Sequence, residues 1–172
     1  AGFNSVPLDR LREGSKLFSV VLMFIGASPA STGGGLKTTT FGAVQLITLS
    51  VVRGQKDVNV MGRRLPTDLL RRALAILTIF MAFLFVGILA IVLSEREEKG
   101  AVDLIFEATS ALATVGVSAA GTPKLTLASK AVLVPMMYLG RIGPMTLALA
   151  LAKREGSANQ HIRYPEENLM IG

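Results

Sequence analysis

Residues 73–93 read ALAILTIFMAFLFVGILAIVL, a run of 21 residues without a charged side chain. As an α-helix this run is about 31 Å long at about 1.5 Å per residue, which matches the hydrocarbon thickness of a bilayer. A helix in a soluble core would have a polar face, and this run has none. The run therefore predicts a transmembrane helix over 73–93.

The composition of the whole chain also favours a membrane protein. Of its 172 residues, 51% are hydrophobic and 17% are charged, whereas soluble domains are about 25% charged. Because cysteine is absent and His161 is the single histidine, the sequence offers no disulfide and no thiolate or histidine cluster for a metal. The net charge of +6 comes from Lys and Arg beside apolar runs, which indicates membrane orientation rather than nucleic-acid binding.

Two further spans are predicted, one on each side of this helix. Residues 16–52 hold two apolar halves around SPASTGGGLKTTT at 28–40, and neither half is long enough to cross alone. We therefore expect one broken transmembrane helix whose freed backbone groups line a water-filled cavity. The last span is predicted over 131–152, where two prolines and Arg141 interrupt an apolar run.

Basic residues set the expected orientation of these spans. The connector at 53–72 holds six Lys and Arg against two Asp and is predicted to be cytoplasmic, whereas the Glu-rich turn at 94–100 is predicted to lie outside. The tail at 153–172 then lies on the cytoplasmic side. The sequence thus predicts an all-α, multi-pass membrane protein with a cytoplasmic C-terminus.

A re-entrant pore loop is expected at 101–130, on the outer side between two spans. A short helical pattern is followed there by the stretch TVGV, although topology alone would equally allow an extracellular amphipathic loop. A cation filter needs successive carbonyls aimed at the ion, and the glycine supplies the positive φ that turns one of them. The expected carbonyl donors are Thr114, Val115, Gly116 and Val117.

The first residues of the chain, 1–5, fit the end of a second filter of the same kind. They lie outside and just ahead of the broken span, as a filter should. Two span-loop-span units cannot enclose a pore, so we expect further units upstream in a longer protein. The expected carbonyl donors of this second filter are Ala1, Gly2 and Phe3.

The loop at 28–40 and the arginine of the last span are expected to control the path below the filter. Lys37 would be costly at membrane depth unless it meets water or carbonyl oxygens, which points to a functional role. Arg141 lies about ten residues from either end of its span, too deep to reach an interface, and is expected to face the pore. The residues predicted to form the gate are Gly33, Gly34, Gly35, Lys37 and Thr38.

Other classes of function fit the sequence less well. The glycine-rich stretch lacks the Gly-Lys pair of a phosphate-binding loop, since Leu36 separates the two residues, and no enzymatic activity is predicted. An ion-coupled secondary transporter with discontinuous helices is the alternative, but its coupling site would need a carboxylate and the predicted spans hold none. A membrane scaffold would leave the loop and Arg141 without a purpose.

Five stretches together resemble the membrane subunit of the bacterial Ktr/Trk potassium transporters, part of the Trk/Ktr/HKT superfamily. They are AGFN at 1–4, MFIGASPASTGGGLKTTTF at 23–41, FEATSALATVGVS at 106–118, YLGRIGPMTLALAL at 138–151 and RYPEEN at 163–168. They occur in the family's order over nearly the whole chain, and the ending favours the Ktr type. Ala30 departs from the glycine of many members, a change that slightly stiffens the loop.

The resemblance implies tandem span-pore loop-span repeats of the potassium-channel type, with the end of the third repeat and the fourth repeat in this chain. Gly2 and Gly116 match the key filter glycines, the loop at 28–40 matches the intramembrane gate, and Arg141 matches the arginine beneath it. The implied function is potassium uptake across the bacterial plasma membrane, with K⁺ as substrate, Na⁺ as activator and no covalently bound cofactor. The implied partners are a second copy in a homodimer and a cytoplasmic nucleotide-binding ring of the RCK type.

Overall fold

The computed structural model describes residues 2–55, 57–60, 63–95 and 99–143. Its helices are α1 (Glu13–Ile25), α2 (Thr38–Val52), α3 (Thr67–Ser94), α4 (Ala101–Leu112) and α5 (Leu127–Ile142). A two-residue antiparallel pair, β1 (Asn59–Val60) with β2 (Arg63–Arg64), lies in the connector between α2 and α3. The described residues are thus mostly helical, which is consistent with the predicted all-α class. Ala1, the second half of the predicted span at 131–152 and the tail at 153–172 lie outside the described residues.

Helix α3 is the long apolar element of the chain. It begins at Thr67, earlier than the predicted 73, because Pro66 precedes the first turn and Asp68 within that turn complements the helix dipole. Among the described residues it is the one helix that is long and apolar enough to cross a bilayer, and most of its apolar surface is left uncovered by the rest of the chain. That exposed surface is suited to contact lipid or other protein segments.

The predicted broken span is divided into α1 and α2 by residues 26–37, which we call the helix-break loop. Helix α1 ends at Ile25 because Gly26 adopts a left-handed φ of +69°, and the loop folds back so that Leu36 N–H donates to Phe24 O at 3.3 Å. Leu36 is completely buried. The predicted boundary at 28–40 is thus shifted, and Thr38, predicted to belong to the gate, is the first residue of α2.

Helix α4 occupies the centre of the described chain. Its residues from Phe106 to Leu112 are all buried, and it packs against α1, α3 and α5. Apolar residues from α3 and α5, including Phe80 and Leu133, form the main core together with α4. Because α4 is enclosed on three sides, the segment that follows it is held in a defined place.

Helix α5 begins earlier than the predicted start of the last span at 131. Thr126 caps the helix by accepting a hydrogen bond from Ser129 N–H at 3.3 Å, which starts the helix at Leu127. The helix ends at Ile142, where Gly143 has a φ of +84°. A proline follows at 144, and the residue before a proline disfavours the helical conformation. The helix therefore ends inside the predicted span.

The outer ends of α3 and α5 are joined through Glu95, the residue that follows α3. Its carboxylate accepts hydrogen bonds from Thr126 N–H at 2.8 Å and Thr126 Oγ1 at 3.0 Å, and forms an ion pair with Lys99 at 3.2 Å. Burial raises the pKa of Glu95, but the hydrogen bonds from Ser129, Thr126 and Lys99 together outweigh burial and lower the pKa to about 2. The predicted outer turn is thus tied to the start of α5.

Candidate functional site

The segment after α4 has the alternating backbone that the filter prediction requires. Thr114 and Gly116 have positive φ angles of +55° and +83°, so successive peptide groups point in different directions. A positive φ at a β-branched residue such as Thr114 is rare, and its surroundings must hold it there. Because α4 ends at Leu112, the negative end of its helix dipole faces this segment.

The two glycines predicted as filter residues lie against each other. Gly2 has a φ of +73°, and a Cβ atom placed on it would collide with the carbonyl oxygen of Gly116. The chain thus brings together two segments that are far apart in sequence. Their contact leaves no room for a side chain at position 2. Phe3, which follows, is 93% exposed.

The backbone of Val117 is hydrogen-bonded to a side chain of α4. Ser110 Oγ donates to Val117 O at 2.5 Å and accepts from Val117 N–H at 3.0 Å, so both backbone groups of Val117 face α4. Ser110 occupies one acceptor position of the Val117 carbonyl, and the assignment of the carbonyls from Thr114 to Val117 to an ion stays a prediction. Ser110 lies two residues before the end of α4, so the last turn of this helix holds the end of the predicted filter stretch.

A buried carboxylate supports the segment from behind. Glu107, 4% exposed, accepts hydrogen bonds from Ser118 Oγ at 2.8 Å and from Thr122 Oγ1. Ser118 Oγ in turn accepts from Gly121 N–H at 3.0 Å and Thr122 N–H at 3.1 Å. The sequence analysis assigned no role to Glu107. The available signal was a second carboxylate, one turn after Asp103, in a short helix of otherwise apolar and small residues, followed by hydroxyl residues at 118 and 122.

The helix-break loop contacts Thr114, the first residue of the predicted filter stretch at 114–117, which we call the filter segment. Gly34 N–H donates to Thr114 Oγ1 at 2.9 Å, and a Cβ on Gly34 would collide with the Thr114 side chain. On α5, a Cβ on Gly140 would collide with the carbonyl oxygen of Leu112. These two glycines let the loop and α5 approach the end of α4 closely.

Two cationic side chains hold the carbonyls of the loop. Lys37 Nζ donates to Gly33 O at 2.9 Å and to Ser31 O at 3.2 Å, and the Arg141 guanidinium donates to Thr32 O. Lys37 therefore contacts carbonyl oxygens, one of the two predicted ways to offset the free-energy cost of a charge at membrane depth. Three consecutive loop carbonyls are occupied by side chains from the loop's end and from α5.

Two cavities lie on either side of Arg141. The larger, of about 860 Å³, is bounded by the loop, the first turns of α2 and α3, and the end of α5, with Lys37, Arg72 and Asp68 as its other charged residues. The smaller, of about 360 Å³, lies along Glu107, Thr114 and Gly116. Arg141 lines both cavities, so it is at the boundary between the filter segment and the space on the connector side.

The chemistry available to a cation here is that of oxygen ligands from the backbone. Within the described part of the chain, no group of three or more His, Asp or Glu residues could hold a metal ion. The carboxylate nearest the filter segment, Glu107, is already occupied by two hydroxyl groups. Ion contacts at this site would therefore come from backbone carbonyls, since the Thr114 hydroxyl already accepts from Gly34 N–H.

Comparison with known proteins gives consistent matches along the chain. The TrkH family, described as cation transport protein, matches residues 1–161. The chain is 37% identical to Ktr system potassium uptake protein B of Bacillus subtilis (strain 168), covering 100% of the chain and 38% of that protein. It is 37% identical to the protein of the same name from Vibrio alginolyticus and 33% identical to potassium/sodium uptake protein NtpJ of Enterococcus hirae, covering 100% of the chain and 37% and 39% of those proteins. The chain thus spans less than half the length of these relatives.

Proposed function

The chain belongs to the TrkH family of cation transport proteins, which are membrane proteins, and on this basis we propose that it forms part of the ion-conducting subunit of a Ktr-type potassium uptake system. The observation that carries this proposal is the contact between Gly2 and Gly116, two left-handed glycines, of which Gly116 follows the buried short helix α4. Relatives named as potassium uptake proteins support the choice of ion. One relative is named for potassium and sodium, so the selectivity needs a direct test.

The proposed conduction step replaces the water around K⁺ with backbone carbonyls. The positive φ angles of Thr114 and Gly116 are proposed to leave carbonyl groups of this segment free to contact the ion. The C-terminal end of α4, which carries about half a negative charge, also favours ion entry. Glu107 and Ser110 hold this segment against α4 without being ion ligands themselves. Because the segment is held against α4, its carbonyl oxygens keep the spacing that suits K⁺ and do not move closer together around a smaller ion such as Na⁺.

The proposed gate is the helix-break loop. In the described conformation it touches Thr114 at the start of the filter segment, and Lys37 and Arg141 hold its carbonyls. Ions passing between the two cavities would have to displace this loop. Lys37 and Arg141 also add positive charge there, which disfavours a resident cation while the loop is in place.

The proposal also covers the membrane location of the subunit and its partners. We place the subunit in the bacterial plasma membrane as a multi-pass protein with a cytoplasmic C-terminus, because the connector at 53–72 is basic. A homodimer regulated by a nucleotide-binding ring of the RCK type, with Na⁺ as activator, follows from the Ktr resemblance. The relatives' names, which refer to a Ktr system, support a complex of more than one component.

The test is a glycine substitution in the full-length subunit, expressed in a bacterium that lacks its own potassium uptake. Gly116→Ser is expected to weaken selectivity for K⁺ over Na⁺ in rubidium and sodium uptake, because a side chain strains the left-handed backbone at the filter. Gly121→Ser is the matched control, since its φ is +71° but an added Cβ would meet only the Lys124 side chain at 3.6 Å. Equal selectivity of the two variants would remove the filter assignment.

A further inference from the structure

One turn of the helix-break loop holds an alanine in a conformation that glycine adopts more readily. In the turn at 28–31, Ser31 N–H donates to Ser28 O at 3.2 Å, and Ala30 has a φ of +65°. A proline at the second position and a positive φ at the third are the pattern of a type II turn, and Pro29 occupies that second position. The third position of such a turn favours glycine or asparagine, because a Cβ atom is crowded there. The backbone at Ala30 is therefore strained.

The other strained residue lies on the opposite side of the contact between the loop and the filter segment. Among the described residues, Ala30 and Thr114 are the two that have a positive φ without being glycine. Thr114 Oγ1 accepts from Gly34 N–H, so Thr114 is bonded to the same loop that contains Ala30. Strained residues persist where neighbouring contacts hold them, and they are concentrated at parts of proteins that switch conformation. The backbone strain of the described chain is thus concentrated where the loop meets the filter segment.

The contacts that follow the turn keep Ala30 in the left-handed region. Lys37 Nζ donates to Ser31 O at 3.2 Å, and the Arg141 guanidinium donates to Thr32 O. Ala30 itself is exposed, so its methyl group adds little packing to offset the strain. These hydrogen bonds belong to the loop in its described position. A loop that leaves this position loses them, and the turn is then free to relax.

We propose that the strain at Ala30 biases the gate toward its displaced position, so that Ala30 sets how often the loop opens. This inference rests on the proposed gate. In the described position the turn imposes a left-handed φ on a residue that has a Cβ, whereas a displaced loop lets Ala30 take a negative φ. The strain is present in one of the two positions only, and a cost confined to one state shifts the equilibrium toward the other.

Strain and flexibility predict opposite effects of a glycine at position 30. Glycine adopts positive and negative φ about equally, so it removes the strain from the closed loop and favours closure. Glycine also gives a displaced loop more conformations to sample, and this effect favours opening. A decrease in the open population on substitution by glycine therefore identifies strain as the larger of the two effects.

The first experiment measures resting rubidium flux per inserted protein, with the full-length subunit in proteoliposomes without a regulatory ring. Ala30→Gly is expected to lower the flux about fivefold, which corresponds to about 1 kcal/mol. Ala30→Asn should lower it less, because asparagine tolerates the left-handed region better than alanine, and Ala30→Val should raise it, because a β-branched residue tolerates it least. Ala27→Gly is the matched control, since Ala27 lies in the same loop without a positive φ, and should not lower the flux.

The order of the four residues at position 30 decides the outcome. A flux that rises in the order glycine, asparagine, alanine, valine supports the proposal. If Ala30→Gly leaves the flux unchanged or raises it, while Thr114→Val raises it by removing the acceptor of Gly34 N–H, the strain inference is wrong and the gate stands. If neither Thr114→Val nor any substitution at position 30 changes the flux, the proposed gate and this inference both fail.

The second experiment follows the loop without measuring transport. Leu36 is completely buried in the described position, so a cysteine placed there reacts with a thiol reagent when the loop is displaced. The 172 residues contain no cysteine, and any cysteine upstream is removed first. In a Leu36→Cys subunit, adding Ala30→Gly is expected to slow the modification about fivefold, whereas modification of Gln55→Cys on the exposed connector should not change. A modification rate of Leu36→Cys that Ala30→Gly fails to slow would overturn the proposal.

Discussion

The hydrogen bond between the helix-break loop and the filter segment offers the sharpest test of gating. Thr114→Val keeps the shape of the side chain and its β-branch but removes Oγ1, the atom that accepts from Gly34 N–H. A buried donor left without a partner costs about 1 to 3 kcal/mol, which corresponds to a change of about 5-fold to about 150-fold in an equilibrium. Because Gly34 also lines the 860 Å³ cavity, water can reach it and the lower end applies. We expect the loop's displaced state to become about fivefold more populated.

The assay is rubidium flux through the full-length subunit in proteoliposomes without a regulatory ring, where the resting flux reports the displaced state of the loop. Thr109→Val is the matched control, since it removes the hydroxyl of a buried threonine that bonds to Ile105 O within its own helix, at 2.8 Å. Thr114→Val should raise the resting flux about fivefold, while Thr109→Val should leave it unchanged. A resting flux that stays the same or falls in Thr114→Val would refute the idea that this contact holds the loop closed.

Two further predictions concern the loop and the outer cap. Deleting residues 33–38 in the full-length subunit should raise rubidium flux because the path between the cavities loses its obstruction; flux per protein that does not rise in a well-inserted variant would contradict gating. The pKa of Glu95 is about 2, below its ordinary 4.5, so its contribution to stability is complete above pH 4.5 and is lost as pH falls toward 2. Between pH 6 and pH 3, the unfolding midpoint of Glu95→Gln should therefore fall less than that of the unchanged subunit, and parallel curves would argue against the cap.

Local patterns in the sequence were sufficient for the elements of the fold. The uncharged run at 73–93 lies within α3, and the two apolar halves around the glycine-rich stretch correspond to α1 and α2. Membership in the family was also predicted correctly from its motifs. The helix boundaries differ because they depend on contacts: Gly26 ends α1 so that the loop can fold back and bury Leu36. The spacing of apolar residues along the sequence does not show that the chain folds back after Gly26.

The candidate site could be predicted only in part, because its supports come from pairs of residues distant in sequence. The Gly34–Thr114 hydrogen bond joins positions 80 residues apart, and Glu107 binds hydroxyl groups 11 and 15 residues later. The assignments of Gly2, Thr114 and Gly116 to a filter, of the loop to a gate, and of the dimer, the RCK-type ring and Na⁺ as partners stay predictions.

The burial of α4 has a consequence for the order in which the subunit is made. A helix of 12 residues is too short to cross a bilayer, and the Glu107 carboxylate could not be left in lipid without its partners. Those partners, Ser118 and Thr122, and the covering helix α5 are all synthesised after α4. During biogenesis α4 is therefore expected to stay at the aqueous surface of the membrane until α5 has been inserted. A chain that ends before Leu127 would keep α1 to α4 but lack the helix α5 that covers α4.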